Sequence, residues 1–247
     1  MKIKNTDINY IQYGNEKGKD IVLLHGWGQN IEMMDPIGRG LQDDFMITII
    51  DLPGFGKSPE PPFGWTIDDY YESVDKLLKK LNIKNPIIIG HSFGGRLGII
   101  YAAKRPINKL VLLAAPFRRT NKKATIKIKL LKLLKKTPIL NRYENYFKSK
   151  IGSRDYKNAT PTMRKVLVNV VNTNLTDLLK EIKCSTILIW GSKDDEAPLK
   201  EAKYIESVIK DCGLIVYEGC SHFAYIERID QTVNILKEFL KNDKGVN

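Results

Sequence analysis

The sequence predicts an α/β fold: a mostly parallel sheet with helices on both faces and a helical segment inserted late in the chain. Three observations lead there. Short apolar runs rich in β-branched residues alternate with longer amphipathic stretches through residues 21–114, the pattern of strands buried on both faces and joined by crossover helices. One run, Pro86-Ile87-Ile88-Ile89, meets the turn Gly90-His91-Ser92-Phe93-Gly94-Gly95 and then a helix-like stretch, Arg96 to Arg105, ended by Pro106. The alternation stops between about 117 and 183, where helix-like segments follow one another.

The elements can be justified in order. Residues 2–14 read as an N-terminal hairpin or meander with Asn5-Thr6-Asp7 at its turn, and Ile21–Leu24 as a buried strand. A helix over about Glu32–Leu41 and a strand Phe45–Ile50 follow. Thr66 is a natural N-cap for a helix reaching about Leu81, and Asp68 and Asp69 suit its first turn. The strand before Ser92, its helix and a strand Lys109–Ala114 come next. Thr186–Trp190 and Leu214–Tyr217 are further strands, the second leading through a turn into a final helix.

Length and composition bound the answer. The 247 residues suit one α/β unit, and a hydrophobic content of 43% supplies a core. No stretch approaches the ~18 uncharged apolar residues of a membrane span. Met1–Thr6 alternates polar and apolar residues without an apolar signal core, so a cytoplasmic location is expected. Cys184, Cys212 and Cys220 are odd in number and form no Cys-x-x-Cys, so neither disulfides nor zinc is expected, and no cofactor.

Chemistry concentrates at Ser92. A Gly-x-Ser-x-Gly between a strand and a helix is the setting of a nucleophile elbow, in which the serine stands at the top of the sheet beside a helix N-terminus. A serine hydroxyl needs a base. The chain has three histidines: His25, His91 and His222. His91 adjoins the serine and reads as a packed turn residue; His25 ends an early strand. His222 remains, in the turn Glu218–Phe223. The acid that orients it should follow a strand between the two, and Thr186–Trp190 runs into three adjacent acids, Asp194, Asp195 and Glu196. Residues alone leave these open, since Asp195 or Glu196 also suits the cap of a helix starting near Pro198.

Four separated motifs, His25-Gly26-Trp27-Gly28, Asp51-Leu52-Pro53-Gly54-Phe55-Gly56-Lys57-Ser58, the elbow and the Asp194/His222 pair, resemble the α/β-hydrolase-fold serine hydrolases along nearly the whole chain. The resemblance implies that fold, with a lid inserted after the sixth core strand, residues 1–116 and 184–247 as core and 117–183 as the lid. The spacing of Gly191, Asp194 and Pro198 matches the family's pattern and favours Asp194 as the acid. The His-Gly-x-x stretch resembles the oxyanion loop, implying the backbone N–H groups of Trp27 and Phe93 as donors and a structural role for His25. Asp51–Ser58 resembles a turn that shapes the sheet edge and has no catalytic part.

Two local likenesses point to different substrates. Leu23–Gly28 and Asp51–Gly56 resemble pimeloyl-acyl-carrier-protein methyl ester esterases. Ser92-Phe93-Gly94-Gly95-Arg96 resembles menaquinone-pathway synthases, whose arginine at that spacing binds a substrate carboxylate; alternatively, Arg96 is a helix residue paired with a local acid.

The inserted segment carries the charge. Residues 117–183 hold 18 Lys/Arg against four acids, a net +14, in a chain whose total is +12, so the remainder nets −2. Within it, Ile126, Leu130, Leu133 and Leu134 share one helical face and Lys129, Lys132 and Lys136 another. Such a helix packs its apolar face on the core and solvates its lysines, or it docks an acidic carrier protein or an anionic surface. No nucleic-acid motif accompanies the charge.

The expected protein is a cofactor-independent serine esterase acting on a small-molecule ester through Ser92, His222 and Asp194. Carbon–carbon bond hydrolases, pyruvate-eliminating lyases and cofactor-free perhydrolases share that triad. A non-catalytic binding module has no need of all three residues.

Overall fold

The computed structural model describes residues 7–119 and 154–243. Seven strands form one sheet: β1 (Tyr10–Gly14), β2 (Asp20–Leu24), β3 (Met46–Ile50), β4 (Ile87–His91), β5 (Lys109–Leu113), β6 (Ser185–Gly191) and β7 (Cys212–Tyr217). Their order is β1-β3-β2-β4-β5-β6-β7. β1 runs antiparallel along β3, Tyr10 opposite Ile50, and every other pairing is parallel. The first half of the expected N-terminal hairpin or meander, with Asn5 and Thr6 of its turn, lies outside the described residues; the described edge strand β1 takes its partner from the middle of the chain.

The α-helices among the described residues are α1 (Ile31–Leu41), α2 (Ile67–Lys80), α3 (Phe93–Lys104), α4 (Arg154–Asn158), α5 (Pro161–Asn172), α6 (Leu199–Val208), α7 (Ala224–Glu227) and α8 (Ile229–Leu240). The inner strands are mostly apolar and buried past their first residue, so both sheet faces are covered. Side chains at alternate positions divide between them. Ile21, Leu23, Ile87, Ile89, Val111 and Leu113 join Met34, Ile37 and Leu41 of α1 and Leu236 and Leu240 of α8. Val22, Leu24, Ile88, Leu110 and Leu112 join Val74 and Leu78 of α2 and Leu97 and Ile100 of α3.

Local signals explain the helix starts. Thr66 and Asp69 form a reciprocal capping box at α2, and Asn30 caps α1 by accepting the Glu32 N–H. Thr160 caps α5, with Pro161 in its first turn, where a missing N–H costs nothing. α6 differs from the expectation: Pro198 precedes it and no side chain caps it, leaving Asp195 and Glu196 exposed in the loop.

The segment expected as a lid leaves the core after β5, the fifth described strand. Its returning part is helical: α4, α5 and a 3-10 turn, Thr176–Glu181. Val166, Val170, Leu175 and Leu179 bury into the same core as α3. The amphipathic stretch around Lys129, Lys132 and Lys136 lies outside the described residues.

Candidate active site

The carboxyl ends of the parallel strands converge on Ser92. It stands between β4 and α3 at φ 48° and ψ −107°, a left-handed conformation that costs a non-glycine residue on the order of 1–3 kcal/mol. The surroundings hold it there. The Ser92 N–H donates to Leu113 O at 2.9 Å, and the Gly94 N–H donates to His25 O at 3.0 Å. Glycine at 94 is a packing requirement: a Cβ there would lie 2.2 Å from Leu24 O. The turn therefore seats α3 directly against the end of β2, with Ser92 at its N-terminus.

Asp194 and His222 come from two neighbouring loops, after β6 and after β7. His222 Nδ1 lies 2.8 Å from Asp194 Oδ2. The other carboxylate oxygen of Asp194 accepts the N–H groups of Glu196, at 2.9 Å, and Ala197, at 2.8 Å. The acid is thus fixed by its own loop and buried, whereas Asp195 is exposed. His222 is buried too, its ring 4.9 Å from that of His91, the residue before Ser92. Among the described residues Ser92 Oγ makes no hydrogen bond, and the carboxylate nearest His222 Nε2 is Glu196, at 3.7 Å.

Two backbone N–H groups near the elbow, those of Trp27 and Phe93, are unpaired among the described residues. Their side chains belong to one aromatic cluster: Trp27 lies 5.6 Å from Phe93 and 4.9 Å from Phe55, and Tyr70 lies 5.0 Å from Phe93. Phe93 opens the helix that follows Ser92, and Trp27 stands in the turn after β2, beside it in the aromatic cluster.

His25 braces this loop. Its Nε2 accepts the Leu52 N–H at 3.0 Å and its Nδ1 reaches Gly26 O at 2.7 Å. These partners require a neutral ring protonated at Nδ1, and burial lowers its pKa to about 4. The Asp51–Ser58 turn is a second brace. Asp51 accepts the N–H groups of Ile31 and Lys57, each at 2.8 Å, and so pins the start of α1.

Arg96 takes partners unlike either expectation. It donates to the carbonyls of Pro116, at 2.8 Å, Val170, at 3.0 Å, and Thr173, at 2.6 Å. Its Nε is buried without a partner among the described residues. Burial brings its pKa down to about 10, which leaves it cationic at neutral pH. Its guanidinium ties the helix behind Ser92 to both roots of the inserted segment. Cys220, two residues before His222, is buried and lies 3.3 Å from Arg228 Nε. Among the described residues no group of three or more His, Cys, Asp or Glu could hold a metal ion, and no helix is long and apolar enough to cross a membrane.

Gln29 carries no sequence signal of its own, and Glu196 reads from the sequence only as one of three adjacent acids. Gln29 accepts the Gly26 N–H at 2.8 Å and touches His91, and Glu196 stands beside His222. Both contacts are between residues whose proximity only the assembled loops create.

Comparisons with known proteins agree with this architecture. A family model described as alpha/beta hydrolase fold matches residues 20–138. The AB hydrolase superfamily protein YisY of Bacillus subtilis is 25% identical over 253 residues, covering 90% of this chain and 91% of its own. A pimeloyl-[acyl-carrier protein] methyl ester esterase of Pseudoalteromonas atlantica is 24% identical, covering 90% of this chain and 94% of its own. Among solved structures, a thermophilic esterase from Thermogutta terrifontis superposes with a TM-score of 0.76 at 19% identity, covering 97% of this chain and 94% of that one. With its seven-stranded sheet and its elbow, the chain has the α/β-hydrolase fold, and over nearly its whole length it is similar to proteins named as hydrolases.

Proposed function

We propose that this hydrolase cleaves carboxylic esters through Ser92, His222 and Asp194. The observation that carries the reading is the buried contact of His222 Nδ1 with Asp194 Oδ2, at 2.8 Å, with the His222 ring 4.9 Å from that of His91, the residue before the elbow serine. Asp194 fixes the ring with its proton on Nδ1, leaving Nε2 as the base. His222 takes the proton of Ser92 Oγ as that oxygen attacks the ester carbonyl. The negative charge on the former carbonyl oxygen rests between the N–H groups of Trp27 and Phe93. Collapse breaks the bond to the alcohol oxygen, which receives the proton from His222. Water, deprotonated in turn by His222, then attacks the acyl-enzyme and releases the acid and Ser92.

The aromatic cluster around the donors suits an ester with an apolar group near its carbonyl. The basic segment 117–183 is proposed to draw an anionic partner, an acyl carrier protein or an anionic surface, toward this mouth. The likeness to an esterase acting on a carrier-protein ester supports the first. The reading is tested with p-nitrophenyl esters of graded chain length, an acyl-carrier-protein methyl ester and a dienoic diketo acid. Ester turnover that disappears in Ser92→Ala is the expected result. Cleavage of the diketo acid alone, or full turnover in Ser92→Ala, overturns it.

A further inference from the structure

We propose that His91 is a positioning residue that ties the oxyanion loop to the backbone of His222 and thereby sets where the base stands relative to Ser92. The proposal rests on His222 being the base.

The ring is wholly buried at the junction of three loops. Its Nε2 lies 3.1 Å from His222 O and its Nδ1 lies 3.1 Å from Gln29 Oε1. Gln29 Oε1 also accepts the N–H of Gly26, one residue before the Trp27 donor. The His91 ring packs 4.9 Å from His222 and 4.8 Å from Tyr225. Gly26 admits this approach: a Cβ there would lie 2.7 Å from His91 Nδ1. One imidazole therefore touches the oxyanion loop through Gln29, belongs to the elbow, and holds the base loop by its carbonyl.

The proton can be assigned from the partners. A neutral imidazole offers one N–H, and here two acceptors face it. Gln29 Oε1 already has a donor in Gly26. The His222 carbonyl has no other donor among the described residues. The N–H therefore belongs on Nε2, donating to His222, and the Nδ1 contact with Gln29 carries no proton of its own. A second proton would serve both acceptors, but burial, and next the neighbouring His222, lower the His91 pKa to about 3. His91 thus stays neutral while His222 gains and loses its proton. The other ionisable groups around the base are Asp194 and Glu196, on the loop after β6.

An aromatic ring without nitrogen could fill the site but could not hold the carbonyl. His91→Phe is expected to lower kcat on p-nitrophenyl butyrate by up to about 100-fold, the scale of a small misplacement of a catalytic group, with KM little changed and the acid limb of the pH profile moved. His91→Gln, whose amide N–H reaches toward the same carbonyl, is expected to recover most of kcat. Wild-type kcat and pH profile in His91→Phe, or equal impairment of the two variants, overturns the proposal.

Nitrogen-15 spectra of the wild-type histidines test it without any variant or substrate. His25 is expected as a non-titrating Nδ1–H ring and His91 as a non-titrating Nε2–H ring; an Nδ1–H His91, or one that titrates between pH 5 and 8, overturns the proposal. Retained turnover in Ser92→Ala would instead sink the esterase reading, so the two failures are distinguishable.

Discussion

Ser92 holds a backbone conformation that side chains avoid, and the residues around it explain how. Its N–H is taken by Leu113 and its successor Gly94 is wedged against β2, so the strain is carried by the packing of α3 rather than by Ser92 alone. Asp194 is distinguished from its neighbour in the same terms: it is buried, it accepts two N–H groups of its own loop, and it meets His222. Asp194→Asn should therefore lower ester turnover by about four orders of magnitude, the scale of losing the partner that fixes the base tautomer, while Asp195→Asn, exposed, should leave kcat near wild type. The reverse order in the two variants would mean that the loop presents the next residue. His25 and His91 make a second prediction. Both folded-state values, about 4 and about 3, lie below the ordinary histidine value of about 6.5. Between those limits the unfolded chain binds more protons than the folded one, so stability is full above about pH 6.5 and falls as the pH drops below it, by up to about 1.4 kcal/mol per pH unit for each ring. Urea unfolding at pH 7, 5.5 and 4.5 reads this slope directly. A midpoint independent of pH would show that these rings are not held neutral.

Among the elements, α2 and α3 divide the labour. α2 is amphipathic and locally specified: Thr66 Oγ1 and Asp69 close its first turn reciprocally, and Lys79 and Lys80 occupy its last turn. Thr66→Ala should cost about 1 kcal/mol, seen as a lower urea midpoint with ester turnover unchanged, because among the described residues the Thr66 side chain bonds only Asp69 of the same turn. Loss of turnover at unchanged stability would place that loop in the active site instead. α3 has almost no polar face, with ten of its residues buried. It is held by the sheet on one side and, through Arg96, by the carbonyls of Pro116, Val170 and Thr173 on the other. The helix that presents Ser92 is therefore fastened to both roots of the inserted segment.

At the level of the whole molecule, charge is separated along the chain. The segment 117–183 carries +14 and the remainder −2. If this segment recruits anionic partners, turnover of an acyl-carrier-protein ester should fall steeply between about 0.05 and 0.5 M salt, since fields between exposed charges decay over ~10 Å at 0.1 M. Turnover of a small neutral ester should hardly change. Lys129→Glu, Lys132→Glu and Lys136→Glu together should weaken the first activity and spare the second. An equal salt response for both substrates would leave the segment as a solvated cap.

The sequence by itself determined the α/β architecture, the strand–turn–helix at Ser92 and the helix start at Thr66. These depend on short-range rules: apolar runs too uniform for one exposed face, glycines where a turn is tight, hydroxyls where N–H groups lack partners. Tertiary structure alone decided the rest. It brought β1 to β3 across 36 residues, from Gln12 to Thr48, and set Asp194 rather than its neighbours against His222. It gave Arg96 three carbonyls in place of a carboxylate, and turned His91 from turn filler into a link between two loops. Each of these is a choice of partner between distant segments. Local pattern fixes what a residue can offer, but burial and the meeting of loops at the strand ends fix which group receives it.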